Sequence, residues 1–192
     1  MKKIAIFGGS FDPVHLAHIR LAETAAEEFA LDEVVFVPAY IAPHKTYPPV
    51  SAAHRLQMLR FALKDKNKFS LSLFEIEQLK PVYTYQTLNY FQGLYKNSKV
   101  YLLAGADSFN DFPNWKNIDD ILNNYSVIIA RRPNAQVNKS LSYYGKVFFT
   151  SNQMPDISST TIRNTVKISP ENLSILTGKA VADYILENKL YQ

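Results

Sequence analysis

The fold is decided by residues 8–18, which read Gly8-Gly9-Ser10-Phe11-Asp12-Pro13-Val14-His15-Leu16-Ala17-His18. This stretch follows an apolar run at residues 3–7 and leads into residues 15–30, where apolar side chains recur every three or four positions (Ile19, Ala22, Ala26, Phe29). Such a change of pattern is typical of a strand, a turn and a helix. Paired glycines allow close backbone approach, and a helix start offers N–H groups to an anion. We therefore expect a phosphate site in this turn.

The rest of the chain continues the alternation of strand and helix. Short β-branched and aromatic runs predict strands at residues 33–38, 69–73, 100–104, 126–130 and 148–150. Helical periodicity predicts helices at residues 51–63, with Ser51 as N-cap, and at 84–95, 158–166 and 179–187. Alternation of this kind indicates an α/β fold whose doubly wound, mostly parallel sheet carries helices on both faces. Ligands of such sheets bind beyond the carboxyl ends of the strands.

Composition and charge narrow the class of protein. The 192 residues are 47% hydrophobic and 20% charged, which is ordinary for a globular protein. The absence of cysteine excludes disulfides and thiolate metal sites and fits a reducing compartment. No apolar run suits a signal peptide or a membrane span, so we expect a soluble, cytoplasmic protein with no membrane partner. The net charge of +4 is mild and the basic residues are scattered, so no nucleic-acid partner is expected.

Two histidines in the first loop are candidates for phosphate contact. His15 and His18 are three positions apart, so at a helix start they project from the same side. Two imidazoles there could donate hydrogen bonds to phosphate oxygens. A metal pair and ordinary surface histidines are the alternatives, although zinc would need further ligands and no cluster is obvious. The stretch matches neither the P-loop nor the GxGxxG pattern.

Three further loops follow predicted strands and carry polar groups. Lys45 offers a point charge for phosphate. Asp107 is placed to accept from a sugar hydroxyl or to face a metal–nucleotide complex, and Trp115 lies beyond it among turn-forming residues. Arg163 ends the segment ISSTTIR at residues 157–163, which opens a helix and could hold an anion. A solvated lysine, a core tryptophan and a simple N-cap are the structural alternatives. Together the loops suit polyphosphate binding without a covalent nucleophile.

The combination of GGSFDPVHLAH at residues 8–18 and ISSTTIR at residues 157–163 resembles the nucleotidyltransferase superfamily with the HxGH signature. The whole chain is similar to the bacterial nicotinate mononucleotide adenylyltransferases. Supporting segments are PHK at 43–45, YT at 83–84 with TL at 87–88, GADS at 105–108, PNW at 113–115, RRP at 131–133 and residues 181–191. The resemblance covers essentially all of residues 1–192, which we interpret as one domain. It implies a Rossmann-like fold, in agreement with the pattern of strands and helices.

The resemblance implies an enzyme of NAD biosynthesis that transfers AMP from ATP to nicotinate mononucleotide, giving deamido-NAD and pyrophosphate. The 5′-phosphate of the mononucleotide would attack the α-phosphorus in line, so catalysis would rest on positioning and charge neutralisation. Mg²⁺ would accompany ATP, held mainly by phosphates and water rather than by protein ligands. The implied partners are these two small-molecule substrates, and a homo-oligomer is left open.

The resemblance also implies site residues. The implied catalytic residues are His15, His18, Lys45 and Arg163, with His18 the candidate for stabilising the transition state. The implied ATP-binding residues are Gly8, Gly9, Ser10, Phe11, His15, His18, Gly105, Asp107, Ile157, Ser158, Ser159 and Arg163. The implied mononucleotide-binding residues are His44, Lys45, Tyr83, Thr84, Trp115 and Arg132. Trp115 would stack on the pyridine ring, and backbone N–H groups around Thr84 and Trp115 would bind its carboxylate.

Three positions depart from the family pattern. Ala17 stands at the glycine of HxGH, Val82 stands where the family often has serine, and Lys189 replaces a usual glycine. Val82 removes a hydroxyl near the mononucleotide and bears on substrate preference. The alternatives are a nicotinamide mononucleotide or dual-specificity enzyme, a relative acting on phosphopantetheine or using CTP, an inactive nucleotide sensor, and a basic RNA-binding module.

Overall fold

The computed structural model describes residues 1–43, 50–131, 146–153 and 155–192. Six strands of these residues form one sheet: β1 (Lys2–Gly9), β2 (Glu33–Pro38), β3 (Phe69–Leu71), β4 (Ser98–Gly105), β5 (Ser126–Arg131) and β6 (Val147–Gln153). Their order is β3-β2-β1-β4-β5-β6. Every strand pairing among the described residues is parallel. This confirms the predicted doubly wound, Rossmann-like α/β fold.

Helices connect the strands. They are α1 (Leu16–Glu28), α2 (Ala52–Leu63), α3 (Phe74–Glu77), α4 (Thr84–Leu94), α5 (Ala106–Asn110), α6 (Ile118–Asn124), α7 (Ser159–Ile168), α8 (Leu173–Thr177) and α9 (Lys179–Glu187). The predicted N-cap of α2 is confirmed, because Ser51 Oγ accepts from the backbone N–H of His54 at 3.4 Å. The predicted helices at 84–95, 158–166 and 179–187 are confirmed to within two residues at each end.

Short helices account for the differences from the predicted elements. The strand expected at residues 69–73 ends at Leu71, and α3 begins at Phe74 after Ser72 Oγ accepts from its backbone N–H. Residues 105–108 were expected as a loop, but Gly105 ends β4 and residues 106–108 start helix α5 directly after it. A helix of four or five residues is too short to leave a periodic pattern in the sequence. Its stability depends on tertiary packing. In α5 that packing is the burial of Ala106 and Phe109.

Both faces of the sheet are covered. Along β1, Ala5 and Phe7 pack on one side in a cluster with α1, α2 and α7 to α9, whereas Ile4 and Ile6 pack on the other with α4 to α6. All four are nearly inaccessible to solvent, as expected for a central parallel strand. Among the described residues, no helix combines the length and the apolar character that crossing a membrane would require.

The topology determines where a ligand can bind. The chain proceeds from β1 outward to β2 and β3, and then returns to β4 on the other side of β1. The connections therefore diverge between β1 and β4, which leaves a crevice beyond their carboxyl ends at Gly9 and Gly105. In open α/β sheets this is the point at which ligands bind.

Candidate active site

Two cavities that share part of their lining lie at this crevice. The inner cavity, of about 230 Å³, is lined by Phe7, Gly8, Gly9, Ser10, Ala39, Ala42, Pro43, Glu75, Val82, Thr84, Leu102, Leu103, Ala104, Gly105, Ser108 and Trp115. The outer cavity, of about 440 Å³, is lined by Pro43, Val82, Tyr83, Thr84, Asp111, Asn114, Trp115 and Lys116. Residues implied for ATP and for the mononucleotide thus meet in one place, because Thr84 and Trp115 line both cavities and Gly8 and Gly105 line the inner one.

The two histidines of the first loop lie against each other. His15 is the N-cap of α1 in extended conformation, and its backbone N–H donates to His18 Nδ1 at 3.3 Å. The rings stack with their centroids 3.7 Å apart, so they share one side of the helix start, as their spacing predicts. A neutral imidazole whose Nδ1 accepts a hydrogen bond carries its proton on Nε2. His18 therefore presents an N–H donor, next to a helix start whose first N–H groups lack intrahelical acceptors.

The two glycines of the first loop have different roles. A Cβ on Gly9 would lie 3.1 Å from the ring of Phe11, whereas a Cβ on Gly8 would meet nothing within 4 Å. Gly9 thus makes room for Phe11, and Gly8 leaves open space at the inner cavity. Phe11 has a φ of 48° and is buried, with its ring edge-on to His18 at a centroid distance of 5.1 Å. Phe11 therefore packs beneath the first loop, on the core side, against the ring of His18.

Arg55 fastens the first loop to the loop after β2, and the sequence pattern does not single it out as a site residue. Its side chain is completely buried, and its guanidinium donates to the carbonyls of Ser10 at 2.8 Å, Ala39 at 2.7 Å, Tyr40 at 3.0 Å and Val50 at 2.9 Å. Burial lowers the pKa of Arg55, and the charge of Asp12 opposes that change. The signal that could have found it is an arginine on the apolar face of α2, at i, i+3 and i+4 with the buried Met58 and Leu59.

Asp12 joins the first loop to the end of the chain. Its Oδ1 accepts from the hydroxyl of Tyr191 at 2.8 Å and from the backbone N–H of Val50 at 3.3 Å. Burial, followed by the charge of Asp12, raises the pKa of Tyr191. The phenol therefore stays protonated and acts as a donor at neutral pH. Two segments that are remote in sequence thus hold the carboxylate of the first loop in place.

The start of α7 also docks on the first loop. Arg163 Nη1 donates to the carbonyl of Asp12 at 2.8 Å, and Ser159 Oγ donates to the carbonyl of Pro13 at 3.0 Å. Ser158 Oγ accepts from the backbone N–H of Thr161 at 3.1 Å, so it is an N-cap. The roles of Ile157, Ser158, Ser159 and Arg163 toward ATP stay predictions.

The outer cavity is lined by one helix start, at Thr84, and one indole, that of Trp115. Trp115 is half-buried and packs on Phe112 with ring centroids 4.5 Å apart. The backbone N–H of Trp115 donates to the carbonyl of Phe112 at 2.9 Å, so it is already engaged. Thr84 is the first residue of α4, a position whose N–H has no intrahelical acceptor. Of the two groups expected to bind a carboxylate, Thr84 is the better placed.

Other predicted residues lie around this centre. Gly105 is the N-cap of α5 and lines the inner cavity, whereas Asp107 is exposed in the first turn of that helix and lines neither cavity. Lys116, not predicted, places its ammonium 4.7 Å from the ring of Tyr83 at the outer cavity. The predicted residues His44, Lys45 and Arg132 lie outside the described residues.

Comparison with known proteins agrees with this geometry. Residues 6–165 match the family model described as cytidylyltransferase-like. A protein of Endomicrobium trichonymphae that carries the name "probable nicotinate-nucleotide adenylyltransferase" is 42% identical over 193 residues, which cover 100% of each chain. A protein of Clostridium acetobutylicum with the same name is 35% identical, again over 100% of each chain. The chain belongs to the nicotinate-nucleotide adenylyltransferases of the cytidylyltransferase-like family.

A solved structure extends the likeness to the fold. Plasmodium falciparum nicotinic acid mononucleotide adenylyltransferase complexed with NaAD superposes with a TM-score of 0.85 at 22% identity, covering 100% of this chain and 98% of that one. This agreement concerns the arrangement of strands and helices. The family membership confirms the resemblance carried by the two terminal motifs.

The departures from the adenylyltransferase pattern can now be located. Ala17 is buried on α1, so its methyl group packs inside the protein. Val82 is buried and lines both cavities. Lys189 has a φ of 50°, in the left-handed region that favours glycine, which explains the family's usual residue there. Of the three, Val82 is the one placed to affect substrate preference.

Proposed function

We propose that this chain transfers the adenylyl group of ATP to the phosphate of nicotinate mononucleotide and releases pyrophosphate. The observation that carries the proposal is that the first loop, which holds the stacked His15–His18 pair, lines the inner cavity with Gly8, Gly9 and Ser10. Thr84 and Trp115 line the same cavity, beyond the carboxyl ends of β1 and β4. The names of relatives that match over the full chain support the same reaction.

The first loop would act on the triphosphate. His18 Nε2–H and the first N–H groups of α1 are donors arranged on one side of the loop. Donors already in place where negative charge grows lower the barrier without reorganisation. His18 is accordingly the residue proposed to stabilise the transition state, and Ser159 and Arg163 would hold the other phosphates. No covalent enzyme intermediate is needed when one phosphate attacks another in line.

The outer cavity would hold the pyridine ring. Trp115 offers an indole face, and the start of α4 at Thr84 offers an N–H and a positive dipole end to the ring carboxylate. Lys116 adds a positive charge at the rim of the same cavity. An unpaired donor would penalise a substrate without the carboxylate, so nicotinate is favoured over nicotinamide.

Magnesium would arrive as part of MgATP. Mg²⁺ prefers oxygen ligands and keeps several waters. In the parts of the chain that the structure describes, no group of three or more His, Cys, Asp or Glu side chains could hold a metal ion. The donors around the first loop are imidazole, hydroxyl and guanidinium groups, which suit phosphate oxygens. This donor set fits a cation carried by the triphosphate. A homo-oligomer and a cytoplasmic location also stay predictions.

The test is a product assay with the full chain. Purified protein is incubated with MgATP and either nicotinate or nicotinamide mononucleotide, and dinucleotide and pyrophosphate are quantified by chromatography. We expect equal amounts of deamido-NAD and pyrophosphate, and a clear preference for nicotinate. Hydrolysis of ATP without dinucleotide would contradict the proposal. Equal use of both mononucleotides would keep the reaction and assign the relaxed preference to the outer cavity, where Val82 is the first residue to restore to serine.

A further inference from the structure

Glu75 places a carboxyl group in the wall of the inner cavity. The residue is 6% exposed, yet it lines the cavity together with Thr84 and Trp115. Among the described residues that line this cavity, it is the single one with an ionisable side chain. A buried acid at a substrate cavity, rather than at a surface ion pair, is typical of a functional group.

The bonding of Glu75 leaves one oxygen for the cavity. Thr87 Oγ1 donates to Oε1 at 2.6 Å from helix α4, three residues after Thr84 and so on the same side of the helix. Among the hydrogen bonds of the described residues, none reaches Oε2. The first turn of α4 and the Glu75 carboxyl are therefore joined, with Oε2 available to a ligand.

The surroundings favour the neutral acid. Burial raises the pKa of Glu75 to about 7, and the hydrogen bond from Thr87 opposes the rise. The titratable side chains on the elements around it are Glu77 on α3, Glu33 on β2, against which α3 packs, Tyr83, Tyr85, Tyr90 and Tyr95 on or beside α4, and Asp111 and Lys116 at the outer cavity. On α3, β2 and α4 these groups are acids or phenols, so no base on them offsets the effect of burial.

We propose that Glu75 is a specificity-determining residue that reads the charge of the substituent on the pyridine ring. The inference rests on the proposed function, because it assumes that the ring binds beside Thr84 and Trp115. A neutral Glu75 donates a hydrogen bond from Oε2–H to the carboxylate of nicotinate mononucleotide. An ionised Glu75 repels that carboxylate and instead accepts from the amide N–H of nicotinamide mononucleotide. Substrate preference therefore depends on pH.

The experiment measures kcat/KM for both mononucleotides with MgATP from about pH 5.5 to about pH 8.5. The ratio of the two values is the readout, because ionisation of the phosphates is common to both substrates and cancels. We expect the nicotinate-to-nicotinamide ratio to fall about tenfold or more as the pH passes about 7.

Two variants test whether Glu75 causes the change. Glu75→Gln cannot ionise and keeps an N–H donor, so its ratio should stay high and flat with pH. Thr87→Val removes the hydrogen bond that lowers the pKa of Glu75, so it should move the midpoint to higher pH. Glu77→Gln is the matched control, an exposed acid on the same helix, and should reproduce the native profile.

The outcomes separate this inference from the proposed function. A native ratio that does not change with pH, or a Glu75→Gln profile that follows the native one, overturns the role of Glu75 while the reaction stands. Absence of dinucleotide from either mononucleotide overturns the reaction and this inference with it. If Glu75→Gln proves unfolded by circular dichroism, the native profile and the direction of the Thr87→Val shift still decide.

Discussion

Two ends of the candidate site are held in different ways: the first loop, proposed to bind phosphate and called the phosphate end, and the outer cavity around Trp115, proposed to hold the ring and called the pyridine end. The first loop, residues 8–18, is tied by side chains from distant parts of the chain, namely Arg55, Ser159, Arg163 and Tyr191. The loop that carries Trp115 is held by bonds within its own turn, such as Asn114 Nδ2 to Asp111 Oδ1 at 2.7 Å. Contacts between residues distant in sequence therefore hold the first loop, whereas contacts between neighbouring residues hold the Trp115 loop.

This difference matches the role proposed for each end. Charge stabilisation in a transition state requires donors fixed before the reaction, which long-range bonds to a buried loop provide. Recognition of a flat ring with a carboxylate requires an aromatic face and a nearby helix start. A short turn is enough to place the aromatic side chain beside such a helix start. We infer that substitutions at the first loop act on stability and rate, and that substitutions at the pyridine end act on substrate choice.

Removing Arg55 should have the largest effect on stability. Arg55→Met leaves four carbonyls, one of them buried, without the guanidinium donor and removes one of the cations near Asp12, so the free energy of unfolding should fall by roughly 3–5 kcal/mol. Urea denaturation measures the change. Arg60→Met, at an exposed position of the same helix, is the matched control and should change stability by about 0.5 kcal/mol or less. Similar losses for the two variants would mean that the first loop does not depend on Arg55.

The buried acid at the pyridine end should make stability depend on pH. In the unfolded chain Glu75 ionises near pH 4.5, whereas the folded chain keeps the proton up to about pH 7. Between these values the unfolded state binds fewer protons, so the free energy of unfolding falls as pH rises and then levels off. The free energy of unfolding of Glu75→Gln should not show this dependence. The difference between the variant and the native protein should therefore shift in favour of the variant by on the order of 2–3 kcal/mol between pH 4 and pH 8. Parallel native and variant profiles in urea titrations would refute the buried proton.

The smallest effect is expected at the end of the chain. Tyr191→Phe deletes one hydrogen bond to Asp12 and keeps the ring, so stability should fall by about 1 kcal/mol. Because Asp12 also accepts from Val50, the loop should stay folded, and kcat should fall more than the KM for the mononucleotide rises. Tyr184→Phe is the matched comparison, because Tyr184 packs against the same core cluster as Tyr191 but its hydroxyl bonds His54 and not the first loop. A change in mononucleotide KM alone would place Tyr191 with the pyridine end.

Features carried by neighbouring residues could be predicted from the sequence. Strand β2 and helix α9 have the predicted bounds, because a β-branched run buried on both faces and a strongly amphipathic helix each leave a local pattern. The histidine pair could be placed for the same reason, since three residues of spacing set the side of the helix start from which they project.

Features made by distant contacts could not be predicted. Arg55 reaches Ser10 across 45 positions, and Tyr191 reaches Asp12 across 179, so neither bond leaves a local signal. In the sequence, nothing distinguishes Glu75 from the other acid of its short segment; only the fold shows that it lines the inner cavity. The bond from the Trp115 N–H to the carbonyl of Phe112 is made by a single tight turn that the sequence pattern does not reveal. Binding of a carboxylate by backbone N–H groups around Thr84 and Trp115 stays a prediction.

The contrast between the two ends is tested most directly by steady-state kinetics of two variants with MgATP and nicotinate mononucleotide. His18→Ala removes a donor used in the transition state, so kcat should fall by about 10²–10³ with little change in the mononucleotide KM. Trp115→Ala removes the ring face, so the mononucleotide KM should rise about tenfold while kcat changes by about twofold or less. The account is contradicted if His18→Ala raises the KM alone or if Trp115→Ala lowers kcat alone.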